Sequence, residues 1–198
     1  MSGDHAGAAG PVAARVRRLE ELLEQRGLVD PRELDQALAA FLASASPANG
    51  GRLVARAWLD PEFRARLLAD ANAALHEAGL STGPRQPEQR LKVVENTASQ
   101  HNVIVCTLCS CYPIGLLGPS PTWYKSEAYR SAVVRDPRGV LSDFGFDLDP
   151  AVQISVWDAS AESRYMVLPR RPPGTDHATE DQLAARVTRN GLIGVAPV

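Results

Sequence analysis

The stretch VIVCTLCSCYP, from Val103 to Pro113, places all three cysteines of the chain, Cys106, Cys109 and Cys111, within six residues. An odd number of thiols cannot pair completely within one chain. Neighbours this close would close very small, strained disulfide rings. Thiols bunched in a short loop are instead suited to a metal ion, because soft sulfur is what late transition metals prefer and a tight loop converges its side chains. A Cys-x-Cys step also brings backbone amides to the same focus as its sulfurs, so main-chain nitrogen is available as a further donor. Spacing alone also admits a structural zinc site in which His101 supplies a fourth ligand. That alternative makes the chain a zinc-stabilised interaction module.

The cysteine loop is set into a chain with enough apolar content to surround it with a core. Of 198 residues, 44% are hydrophobic, which excludes a disordered chain. Lys plus Arg, 21, nearly balances Asp plus Glu, 23. No basic run is interleaved with aromatics, so neither nucleic acid nor a membrane surface is an expected partner. The opening MSGDHAGAAGPVAAR lacks an apolar targeting core, and no stretch approaches the ~18 apolar residues of a spanning helix, which predicts a cytoplasmic protein.

Hydrophobic periodicity predicts helices first and strands later. Val12, Val16, Leu19 and Leu23 recur at helical spacing in residues 11–26, before Gly27. Asp30, Pro31 and Glu33 open a second helix with Leu34, Leu38, Phe41 and Leu42 on its apolar face. After a loop, SASPANGG, a third helix is expected from Asp60 and Pro61 to Gly79. Composition then turns to Pro, Gly, Gln and Arg over residues 82–89, read as a hinge. RLKVVEN and HNVIVC predict strands, the second running into the cysteine loop. SEAYRSAVV and DPRGVLSDF predict two short helices, VQISVWD and RYMVLPRRP a hairpin, and Thr179 to Gly191 a last helix with a Thr179/Gln182 cap. The expected class is α+β, divided as a flexible N-terminus (1–12), a helical arm (13–85) and a metal-binding domain (86–198).

The string C-T-L-C-S-C followed by Tyr112 and Pro113, together with WYKSEAYRSAVVRDPRGVL, closely resembles the alpha subunit of nitrile hydratase. RAWLDPEFRARLLAD upstream, and VWDASAESRYMVLPRRPPGTD and LIGV downstream, resemble family segments in family order, so the resemblance runs from about Ala13 to the C-terminus. It implies a layered α-β-β-α core after the helical arm, and an enzyme that hydrates a nitrile to the amide. It implies a trivalent cobalt, alternatively iron, held by the sulfurs of Cys106, Cys109 and Cys111 and by the deprotonated amides of Ser110 and Cys111, with no organic cofactor. Thr107 and Tyr112 resemble the cobalt subclass.

The resemblance further implies oxidation of Cys109 to the sulfinate and of Cys111 to the sulfenate, whose oxygen serves as nucleophile or base. Glu162 and Arg164 match family positions near the metal, where they orient its ligands; their bland reading is an ion pair at a strand end. Arg130, Arg135 and Lys125 face either a partner chain or solvent. Trp58, Trp123 and Trp157 read as core or interface anchors. Implied partners are one or two beta-type subunits, a separate third subunit being an option, and a metal-insertion activator. Where the family continues with Trp-Pro after C-Y-P, this chain has Ile114 and Gly115. A smaller wall there predicts room for a bulky heteroaromatic or nucleoside nitrile. The gamma subunit of thiocyanate hydrolase shares the claw and is the alternative family member.

Overall fold

The computed structural model describes residues 6–83, 88–109 and 111–198. They fall into two compact units that meet in sequence at Ala43 and Ser44. The first holds helices α1 (Ala6–Gln25) and α2 (Pro31–Ser44). Their periodic apolar residues are found as a stripe but not as a core: Val12, Val16, Leu19, Leu34, Leu38 and Leu42 are all exposed. Helix α1 begins a turn earlier than its pattern suggests, leaving Pro11 inside the helix.

The second unit contains everything else, and it begins well before the hinge expected at residues 82–89, of which 84–87 lie outside the described residues. The reason is packing. Helices α3 (Pro47–Leu59), α4 (Pro61–Ala69) and α5 (Ala71–Glu77) place Leu53, Val54, Phe63, Leu67 and Leu75 in one core with the strands. The loop expected over residues 44–51 is instead largely the start of α3, although paired glycines weaken a helix. The structure shows why they are there: a Cβ at Gly51 would lie 2.8 Å from the Ala184 carbonyl oxygen, so only glycine lets this helix approach so closely. Ser46 caps α3, its hydroxyl accepting from the Ala48 amide at 3.2 Å. The single helix expected from Asp60 to Gly79 is two, because Asp70 leaves helical geometry and caps α5 through the Ala73 amide at 3.1 Å.

Four strands follow: β1 (Arg90–Glu95), β2 (Gln100–Val105), β3 (Gln153–Asp158) and β4 (Ser163–Leu168). Between β2 and β3 lie α6 (Ile114–Leu117), α7 (Thr122–Lys125), α8 (Glu127–Arg135) and α9 (Pro137–Asp143); after β4 come α10 (Glu180–Ala184) and α11 (Arg189–Ile193). The expected hairpin between β3 and β4 is overturned. Each strand instead joins a different two-stranded parallel sheet, β1 with β4 and β2 with β3. Burial explains the choice, since from His101 to Val105 every residue of β2 is buried and a strand covered on both faces suits parallel pairing.

The last helix is also divided: Thr179 and Gln182 form the expected capping box on α10, but Thr188 caps a new helix through the Gly191 amide. Gly194 then turns the chain at φ 92°, where a Cβ would stand 2.0 Å from the Asn102 carbonyl oxygen. Helix-rich packing around short strands agrees with the expected α+β class.

Candidate metal centre

The cysteine loop starts where β2 ends. Parallel pairing sets Val105 opposite Asp158, so the C-terminal ends of β2 and β3 lie side by side and the loop leaves from that shared edge. Cys106 is buried, Cys111 half-buried and Cys109 exposed. The Sγ atoms of Cys106 and Cys109 are 3.3 Å apart and those of Cys109 and Cys111 3.2 Å. All three lie within 4.8 Å of one another, a spacing that one ion could bridge. The Cys109 amide also donates to the Cys106 sulfur at 3.3 Å. Ser110, expected to give an amide nitrogen to the metal, lies outside the described residues.

Electrostatics explains why this loop needs a cation. Burial pushes the Cys111 thiol up to about 12, the hydrogen bond with Cys109 adds to the rise, and the Arg164 guanidinium opposes it. Neighbouring thiols cannot all ionise in so small a space without a counter-charge, which a metal supplies as it displaces the protons.

Surrounding side chains fix the loop at several points. Thr107 donates its amide to Asp158 Oδ1 at 2.9 Å and its hydroxyl to Oδ2 at 2.5 Å. Its carbonyl oxygen accepts from Arg130 Nη1 at 3.1 Å. The Tyr124 hydroxyl donates to the Cys111 carbonyl at 3.1 Å, and that of Tyr129 to the Ile104 carbonyl at 2.8 Å. These phenols belong to an aromatic cluster in which Trp123 packs edge-on against Tyr129 at 4.8 Å and Phe144 at 4.7 Å. Burial raises the ionisation of Tyr112, Tyr124 and Tyr129 well above the ordinary phenol range, so they act as neutral donors.

The other residues singled out from the sequence divide. Arg164 is buried, donates to the Ser160 and Ser163 carbonyls, and its charge bears on Cys111. Glu162 is exposed and makes no ion pair with Arg164 among the described residues, so the strand-end ion pair is absent. Ile114 is half-buried against the core at the start of α6, its Cγ2 3.5 Å from where a Cβ on Gly83 would stand. At Gly115 a side chain would meet the Ser81 carbonyl oxygen at 2.6 Å, so this position cannot hold a larger residue in the present backbone.

His101 is no ligand. Its Nε2 donates to the Gly194 carbonyl at 2.7 Å and its Nδ1 accepts from Asn96 Nδ2 at 3.0 Å, which occupies both ring nitrogens. Trp58 and Trp157 are anchors, donating to the Pro169 carbonyl and to Asn102 Oδ1, each at 2.8 Å.

Asp158, Tyr124 and the loop contact of Arg130 were missed by the sequence reading. Asp158 was hidden by the hairpin expectation, which sends β3 away from β2. Only the parallel register brings the Asp of VWD to the cysteine loop.

Residues 10–196 match the family described as nitrile hydratase, alpha chain. The low-molecular weight cobalt-containing nitrile hydratase subunit alpha of Rhodococcus rhodochrous is 51% identical over 185 residues, which is 93% of this chain and 88% of that protein. The thiocyanate hydrolase subunit gamma of Thiobacillus thioparus is 42% identical over 90% of this chain and 76% of its own. In structure, a double mutant of the Fe-type nitrile hydratase from Comamonas testosteroni superposes with a TM-score of 0.87 at 42% identity, covering 98% of this chain and 92% of that one. With a family match across almost its whole length and three thiols gathered at one strand end, the chain belongs to the nitrile hydratase alpha chain family.

Proposed function

We propose that this chain is the metal-bearing catalytic subunit of a nitrile hydratase, adding one water across a carbon–nitrogen triple bond to give the amide. The observation that carries the reading is the convergence of three sulfurs within 4.8 Å in a chain 51% identical to a cobalt-containing nitrile hydratase alpha subunit. The proposed ion is trivalent cobalt, with trivalent iron as the alternative. Cys106, Cys109 and Cys111 would hold it through sulfur, and the amide nitrogens of Ser110 and Cys111 would complete the claw. Bound there, the ion supplies a Lewis acid that polarises a nitrile or activates water.

The chain's own residues do the rest. Oxidation of Cys109 to the sulfinate and of Cys111 to the sulfenate by an external oxidant such as dioxygen, during maturation, would give the Cys111 sulfur an oxygen that serves as nucleophile or base toward the nitrile. Arg164, buried and electrostatically linked to Cys111, steadies that anionic sulfur; Glu162, exposed beyond it, is a group for a partner to meet. Ile114 is the proposed pocket wall, and its size favours a bulky heteroaromatic or nucleoside nitrile. The exposed stripes of α1 and α2 support assembly with a beta-type subunit, in one chain or two, because apolar rows this long are costly in water. A metal-insertion activator and a cytoplasmic site of action complete the reading; no helix among the described residues is long and apolar enough to cross a membrane.

The test is co-expression with a beta-type chain and cobalt, followed by product analysis and mass spectrometry of the peptide spanning Cys106 to Cys111. Amide from a nitrile, two added oxygens on Cys109 and one on Cys111 are expected. Carbonyl sulfide from thiocyanate would move the chain to the alternative family member, and full activity with three plain thiols would remove the oxidised sulfurs from the chemistry.

A further inference from the structure

Helix α8 holds the end of β2 and the start of the cysteine loop with two consecutive side chains. Tyr129 donates to the Ile104 carbonyl and Arg130 to the Thr107 carbonyl, so the two accepted bonds bracket Cys106 in the chain. Opposite Arg130, both carboxylate oxygens of Asp158 take the remaining polar hydrogens of Thr107. Every polar group of Thr107 is thereby tied, its donors to an anion from β3 and its acceptor to a cation from α8. The helix that carries Arg130 is itself fixed, capped by Ser126 through the Tyr129 amide at 3.1 Å and inserted into the core by Val133.

A solvated helix arginine would not look like this. Arg130 is half-buried, and its Nε is fully buried with no hydrogen-bond partner among the described residues; the same is true of the Nε of Arg164. A buried guanidinium donor left without a partner is costly, so the side chain is held in place by the bond it does make, to the Thr107 carbonyl inside the cysteine loop.

We propose that Arg130 is a positioning residue for the metal claw: acting through the Thr107 carbonyl against Asp158, it presets the spacing of Cys106 and Cys109 before the ion arrives. The proposal rests on the nitrile hydratase reading only in requiring that the three thiols hold a metal. A guanidinium reaches the carbonyl while keeping its Nε in the buried position; an ammonium offers the charge without the fork, and a neutral amide offers neither. Loss of such a partner one shell behind a ligand typically costs about 10- to 100-fold in metal affinity or activity.

The test uses the cobalt-loaded assembly of the full chain with its beta-type partner. Arg130→Gln, Arg130→Lys and the control Arg135→Gln are compared by metal retention during dialysis against a chelator, by the sulfur-to-cobalt charge-transfer absorption, and by kcat and KM separately. Among the described residues Arg135 bonds only to Ser131 of its own helix, so its variant should match wild type in metal retention and absorption. Arg130→Gln should lose cobalt about 10- to 100-fold faster, shift the absorption band and lower kcat with little change in KM; Arg130→Lys should fall between. Should the Gln variant fail to assemble, the Lys variant still has to show the shifted band. An unshifted band and wild-type cobalt retention in the assembled variants would overturn the role of Arg130. Wild-type assembly that takes up no metal at all would overturn the functional reading, and this inference with it.

Discussion

Val105 and Asp158 stand opposite each other at the ends of two parallel strands, and the metal loop begins at the residue after Val105. Because parallel strands end on the same edge, a carboxylate from β3 is delivered to a loop that grows from β2, fifty-odd residues away in sequence. An antiparallel hairpin of β3 with β4 would not have required that meeting.

Asp158→Ala should therefore damage the metal site more than the fold. It removes two hydrogen bonds that Thr107 donates to one carboxylate, from a loop whose shape the ion needs. Metal retention measured after chelator dialysis should drop by at least about tenfold, while the far-ultraviolet spectrum stays that of wild type.

Tyr124→Phe tests the other side of the loop. The ring stays in its aromatic cluster, but the Cys111 carbonyl loses its donor. A loss of about 1 kcal/mol is expected, read as a fall in melting temperature of about 2 to 4 °C for a chain of this size.

Acid should weaken the fold through His101. Burial lowers its ionisation below the ordinary value of 6.5, since the charged ring would be desolvated and would set an Nδ1–H against the Asn96 amide. The unfolded chain binds the proton more readily than the folded one, so stability rises with pH across this range. The contribution is fully present above pH 6.5 and is lost as the pH falls from there through the lower folded value. In thermal melts between pH 7.5 and pH 5, His101→Gln should show a shallower decline than wild type.

Much of this was legible beforehand, and the failures share a cause. The thiol cluster, the caps at Asp30, Asp60, Asp136 and Thr179, and helices α8 and α9 are local features, written in residues a few positions apart. Cys106, Cys109 and Cys111 were found for the same reason: the loop that gathers them is six residues long. What escaped was decided by distant partners. Gly50 and Gly51 look like a loop until Leu192 and Ala184 are seen packed against them. Arg130 looks like a surface charge until the Thr107 carbonyl is seen to accept its hydrogen bond. His101 looked available to a metal until Gly194 and Asn96 took its two nitrogens.

The proposed substrate pocket rests on one side chain. If Ile114 is the pocket wall, Ile114→Trp should lower kcat/KM for a nucleoside-sized nitrile far more than for a small aliphatic one, because a larger wall excludes the larger substrate first. Equal responses from both substrates, at unchanged metal content, would remove Ile114 from the pocket.

Three clustered thiols are proposed to serve one trivalent metal. X-ray absorption at the metal edge of the active assembly with its beta-type partner tests it most directly, reporting the element, its amount and its donors together. About one cobalt per chain is expected, low-spin, with both sulfur and nitrogen donors. Tetrahedral zinc in fully active protein, or full activity with no metal bound, would contradict it.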